Sequence, residues 1–315
     1  METRKRMLSL DEQVTHLQAK GVQFTLVGEA AARAYLGQKN NYFRIAAYRK
    51  NYPKHPGGAK VGQYVRLEFA YLMDLAELDR LLRDVVLGMA LDVEHAARMQ
   101  IISLTETHGD DEYAIVQDFV DGLDAKERRI LDGEIARNRN NIYCGDMVRK
   151  YERGYPVWVF VELLSFGKLC SFYRFCADRF EQPEMVKTYY RMRMCQTLRN
   201  AAAHGSCILN DLSSNKSTIR TDSVINRALA TIPGMSKGFR INKMKNERIQ
   251  QIVTLLYTYR AMVPDDGGWS LERHKLQGFM KRLRKNQAYY EDNDLLRGVF
   301  RFLQMVVDSW YGSGL

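Results

Sequence analysis

The chain has 315 residues, 46% of them hydrophobic and 27% charged, with a formal net charge of +10. Those figures are those of a folded globular protein and exclude a disordered or low-complexity chain. No run of about 18 apolar residues occurs, which excludes a membrane-spanning helix. The five cysteines (Cys144, Cys170, Cys176, Cys195 and Cys207) are odd in number and form no C-x-x-C, so neither a disulfide framework nor a zinc site is expected. With a polar N-terminus lacking the apolar stretch of a signal peptide, they point to a reducing cytoplasm.

The positive charge is unevenly spread. Ala30–Leu67 holds eight basic residues and no acidic one, whereas Glu68–Glu134 carries a net −11 and residues 135–315 a net +13. So polarised a chain presents a basic surface to an anion. Within Ala30–Leu67 the basic residues alternate with Tyr35, Tyr42, Phe43, Tyr48, Tyr52 and Tyr64, a mixture suited to phosphates and unpaired bases. A solvated face over core tyrosines explains it equally well.

Six prolines in the whole chain leave room for long helices. In chain order, apolar spacing predicts helices over 9–19, 28–37 and 41–51, then a basic loop at Asn51–Gly62 and at most a short strand at Gln63–Phe69. Asp74–Met99 shows one broad apolar stripe at three- and four-residue steps. Asp74 is placed to cap that helix and Gly109 to follow it. Further helices are predicted at 111–121, 125–139, 142–152, 157–166 (stopping at Gly167), 168–180 and 184–204. A polar loop at Asn210–Asp222 precedes helices at 245–262, 270–285 and 291–310. The fold class is all-α. The parts are an N-terminal helical part (1–135), a helical core (136–262) and a basic C-terminal extension (263–315), expected to form one compact body.

Of the six histidines, His16, His55, His95, His108 and His274 sit in polar or capping contexts, none at metal-ligand spacing. His204 differs, closing the predicted helix 184–204 just before Gly205 in Leu198-Arg199-Asn200-Ala201-Ala202-Ala203-His204-Gly205. A five-residue step along a helix turns about 140°, so Arg199 and His204 of one chain would share a face only if the helix end unwound. A cleft completed by a second copy of the chain suits such a pair better. An arginine and a histidine without a metal suit RNA cleavage by internal transesterification. The imidazole moves the proton of the ribose 2′-OH or of the leaving 5′-oxygen, and the guanidinium holds the phosphate. Asn200 is the candidate to orient either group, and no cofactor is called for.

The segment Tyr155–Phe175 (Y-P-V-W-V-F-V-E-L-L-S-F-G-K-L-C-S-F-Y-R-F), followed by Leu198-Arg199-Asn200 and His204, resembles the Abi-like abortive-infection proteins of the AbiD/AbiF type. N-Y-F-R-I-A-A-Y at 41–48 is similar to their Y-Y-R-L-x-x-Y element, and residues 78–98 to their D-x-x-L-R…E-x-x-x-R helix. The resemblance spans residues 20–262. It implies the HEPN superfamily, helical bundles whose R-x4-6-H motif forms a metal-independent RNase site across a dimer, and it implies a role in phage defence or a toxin–antitoxin pair. It also implies kinship with the RNA-guided RNases of type VI CRISPR systems, and for some members a small non-coding RNA partner. Arg199 and His204 then become the catalytic pair, with Asn200 between them. The tyrosine of R-x4-H-x-Y toxins is absent, since Ser206 stands in its place.

The expected protein is thus a homodimeric RNase effector, with a non-catalytic scaffold for a structured small RNA as the alternative. A DNA-binding regulator ranks third, for want of a helix-turn-helix pattern. The candidate RNA contacts are Arg44, Arg49, Lys50, Lys54 and Lys60, with Lys243, Lys245, Lys281, Arg282, Arg284 and Lys285 on the C-terminal helices. Trp158, Phe160, Leu163, Leu164 and Phe166 are expected in the core, and Glu162 is expected as a buried structural acid, ahead of the alternative that it orients the site. Glu94 and Arg98 are expected to pair within their helix.

Overall fold

The computed structural model describes residues 6–214, 217–264 and 270–312. Described in chain order, the elements are α1 (Leu10–Ala19), β1 (Val22–Gln23), α2 (Glu29–Gln38), α3 (Tyr42–Tyr48), β2 (Leu67–Glu68) and α4 (Phe69–His108). There follow α5 (Ala114–Asp121), α6 (Ala125–Asn138), α7 (Gly145–Lys150), α8 (Val157–Leu163), α9 (Phe166–Arg179) and α10 (Pro183–Ala203). The chain closes with α11 (Ser223–Ala230), α12 (Lys237–Met244), α13 (Glu247–Met262), α14 (Ser270–Lys285) and α15 (Asp294–Tyr311). Short 3-10 turns follow α3 and precede α15. The fold class is all-α. The two strands pair in parallel, Val22 opposite Leu67 and Gln23 opposite Glu68. No helix among the described residues is long and apolar enough to cross a membrane.

These elements form two compact units. One joins Met1–Val86, Ala201–Val253 and Trp269–Leu315; the other joins Leu87–Asn200 and Thr254–Gly268.

In the first unit, polar groups fix what the apolar core leaves unspecified. Asn51 is 2% exposed and makes three bonds to two separate segments. Its amide donates to Leu209 O at 2.8 Å, its side-chain oxygen accepts from Leu212 N at 3.0 Å, and its carbonyl accepts from Asn293 at 3.0 Å. Buried Asp79 accepts from Leu209 N at 2.6 Å and pairs with Arg83; burial raises its pKa despite these partners. Asp74 is no helix cap. Helix α4 starts five residues earlier because Phe69, Ala70 and Leu72 are themselves buried, so Asp74 falls inside the helix. There its carboxylate accepts from Arg282, from Asn286 and from the Tyr290 hydroxyl, tying α4 to α14 and the turn after it. Burial, with Asp74 beside it, pushes the Tyr290 phenol up. Helices α11 and α12 fill residues 223–244, which the sequence reading leaves unassigned. Asp222 and Ser236 cap them, and Ile225 and Leu229 are buried on α11.

The second unit is built on aromatic packing. Phe119, Phe160, Phe172 and Phe175 meet with ring centroids between 4.9 and 6.1 Å apart. The predicted helix over 157–166 ends early. Leu164 and Ser165 are extended, and Gly167 lies inside α9 instead of terminating α8. Ser165 bonds Glu134 at 3.1 Å, which holds the break. Phe160, Leu163, Leu164 and Phe166 are buried as expected, but Trp158 is 42% exposed. Glu162 is likewise not buried: its side chain is half exposed, on the open side of the apolar helix. Three thiols are sealed here. Burial pushes Cys170 and Cys195 up to about 12 and raises Cys176 as well.

Candidate functional site

Helix α10 is regular to Ala203, and its exit is a Schellman motif. Gly205 N bonds Ala202 O at 3.0 Å and Ser206 N bonds Ala201 O at 2.8 Å, with Gly205 at φ +66°. That conformation favours glycine, so the sequence ends the helix at a fixed residue. His204 is therefore the C-cap residue and is exposed. Capping holds its backbone while leaving the imidazole to solvent.

Arg199 belongs to the second unit and is held there by three contacts. Its Nη2 pairs with Glu94 Oε2 at 2.9 Å, and its Nη1 donates to Asn200 Oδ1 at 3.1 Å. The guanidinium lies over the Phe166 ring at 5.5 Å, and its Nε is buried without a hydrogen-bond partner. Glu94, 7% exposed at its side chain, also accepts Arg98 at 2.6 Å, so the expected intrahelical pair is present and extends to Arg199. Arg98 in turn donates to Val161 O at 3.0 Å. Sequence reasoning missed the Glu94–Arg199 link, which joins residues 105 positions apart. The available signal was an acid flanked by Val93 and Ala97 on the buried stripe of α4. An acid there needs a cationic partner.

In the basic window, Arg49 lies over both Tyr42 and Tyr64, at 5.7 and 5.6 Å, and Lys54 also faces Tyr64 at 5.1 Å. Tyr48 and Tyr52 are buried, and Tyr35 meets Phe69 edge-on. Most of the tyrosines are thus occupied within the fold, while Phe43 stands 84% exposed. Lys50, Lys54 and Lys60 are exposed. Arg44 is half-buried against Gly205, an arrangement the spacing of 161 residues could not show.

On the later helices, Lys245, Lys281, Arg284 and Lys285 are exposed. Two others are not free for a ligand. Lys243 is buried, its ammonium against Gly298 and facing the Phe239 ring, and burial lowers its pKa. Arg282 is committed to Asp74. Both lie on helices whose apolar positions pack inward, and the long stems carry their charges into the fold.

The other histidines serve local structure where their contacts are seen: His108 stacks on Phe180 at 4.6 Å, and His16 meets the edge of Tyr42 at 6.0 Å. Among the described residues, no group of three or more His, Cys, Asp or Glu is placed to hold a metal ion.

Neither the curated proteins nor the solved structures yield a match to this chain. A protein-family model, described as Abi-like protein, matches residues 35–210. Its span covers Arg44, Glu94, Arg199, Asn200 and His204, and more than half of the sequence. The chain belongs to the Abi-like protein family.

Proposed function

We propose that the protein is an abortive-infection effector that cleaves single-stranded RNA through Arg199 and His204, leaving 2′,3′-cyclic phosphate and 5′-hydroxyl ends. The observation that carries this reading is the solvent-facing imidazole of His204 on a rigid helix exit, with no side-chain partner among the described residues. A histidine so placed is open to a ribose hydroxyl or a leaving oxygen. Arg199 supports the reading through a guanidinium oriented by Glu94, Phe166 and Asn200, which spares it the entropy of finding its pose. Asn200 acts as its orienting neighbour. Phage defence and silencing by a bound small RNA fit the family and the exposed lysines of the basic window.

The effector works as a homodimer in this reading. Leu91 and Met99, about two turns apart on α4 with His95 between them, are 56% and 50% exposed and give an apolar strip for a second copy.

The test is direct. Purified protein cuts single-stranded RNA in EDTA, and Arg199→Ala or His204→Ala removes the activity. Cutting that needs added magnesium, or that survives both substitutions, overturns the reading.

One observation favours a second reading, in which the protein binds a structured RNA without cutting it. The Glu94 carboxylate already pairs with Arg199, as it would with a purely structural arginine. Salt-sensitive RNA binding without any cyclic-phosphate product would establish it.

A further inference from the structure

Arg44 is an arginine with a built position and no counter-ion among the described residues. Its backbone N–H bonds the capping Asn41 at 3.0 Å, and its carbonyl receives the Cys207 thiol at 3.8 Å, so α3 is fastened to the chain leaving α10. Its guanidinium packs beside Gly205, at the contact distance of a side chain there. A Cβ added to Gly205 would lie 3.4 Å from Nη1 and 3.6 Å from Nη2. Its Nε is buried without a hydrogen-bond partner, and Arg44 makes no ion pair among the described residues.

Several other arginines have a charged or aromatic partner, although Arg49 and Arg199 also keep one buried nitrogen without a hydrogen bond. Arg33 has Asp11 and Glu29, Arg83 has Asp79, Arg199 has Glu94, and Arg49 lies over two tyrosine rings. A half-buried guanidinium left without an anion costs free energy, unless an anion arrives in function. The residue it faces is the glycine directly after His204, so the guanidinium lies one residue from the imidazole's backbone.

We propose that Arg44 is a phosphate-binding residue of the His204 site, gripping the phosphate that is attacked by the ribose 2′-oxygen when His204 takes its proton. Its fork holds two phosphate oxygens and offsets the charge that grows on them. The catalytic half of this proposal rests on the RNase reading; the phosphate contact does not.

The experiment separates the two. Full-length protein and its Arg44→Gln and Arg44→Lys variants are titrated with a 2′-O-methyl oligoribonucleotide, which cannot be cut, over a range of salt. Arg44→Gln is expected to bind about tenfold more weakly, with a salt slope lower by about 0.7, the share of one phosphate on a single strand. Arg44→Lys keeps the slope. On cleavable RNA, Arg44→Gln is slower by about a hundredfold, the usual effect of losing one transition-state donor. Arg33→Gln, altering an arginine already paired, leaves binding and cutting unchanged.

If Arg44→Gln loses its fold, the unmutated protein answers the question: the bound oligonucleotide shields Arg44 from phenylglyoxal, followed by mass spectrometry. Unchanged affinity and slope in a folded Arg44→Gln, or equal labelling with and without oligonucleotide, overturns the phosphate contact. Unchanged cutting beside weakened binding overturns only its catalytic part. Loss of binding in a protein that never cuts RNA keeps the contact and removes the nuclease.

Discussion

Glu94 carries the most consequence of any single residue. Its nearly buried carboxylate is shared by Arg98 and Arg199, at 2.6 and 2.9 Å. Removing one partner of a buried pair costs far more than the pair contributes, because the remaining charges stay desolvated. Glu94→Ala is expected to destabilise the protein by about 3 kcal/mol, read as a lower urea midpoint. A loss below about 0.5 kcal/mol would mean that the two arginines find water instead. Part of this was legible. The Glu94–Arg98 pair follows from helical spacing, and His204 with Gly205 follows from the rules of helix termination. Arg199 meeting Glu94, and Arg44 meeting Gly205, depend on contacts between distant segments, about which periodicity says nothing.

Among the elements, α4 shows how a correct helix can conceal a wrong role. The apolar stripe identifies it, but an acid near its start invites a capping assignment that the structure replaces with a three-donor anchor. The N-terminal turn Phe69–Leu72 was overlooked because it follows a strand signal without any polar break. Asp74, 3% exposed at its side chain, holds α14 through Arg282 and Asn286 and the following turn through Tyr290. Asp74→Ala is expected to cost about 3–5 kcal/mol, with amides of α14 exchanging faster than those of α10. Equal acceleration in both helices would show that Asp74 supports the whole protein and not one docking. Helices α11 and α12 escaped prediction for another reason. Eight residues each, they are too short for a clear repeat, and their caps at Asp222 and Ser236 are the better signal.

For the whole molecule, the all-α class was plain from the sequence, since few prolines and a 3.6-residue repeat leave little alternative. The interleaving of three chain segments in one unit and two in the other was not, because order along a chain does not reveal which distant segments pack together. Charge was legible as a total but only partly as a surface, since Lys243 and Arg282 turn inward while Lys281, Arg284 and Lys285 face solvent. The sealed thiols add a practical consequence. Alkylating reagents attack thiolates, and Cys170, Cys176 and Cys195 are neither ionised nor reachable while the second unit stays closed. Cys144 and Cys207 are partly accessible. Iodoacetamide should therefore mark Cys144 and Cys207 first and the other three only as fast as their unit breathes, so that peptide mass spectra taken over time become a clock for its opening. Equal labelling of all five would report a unit already ajar.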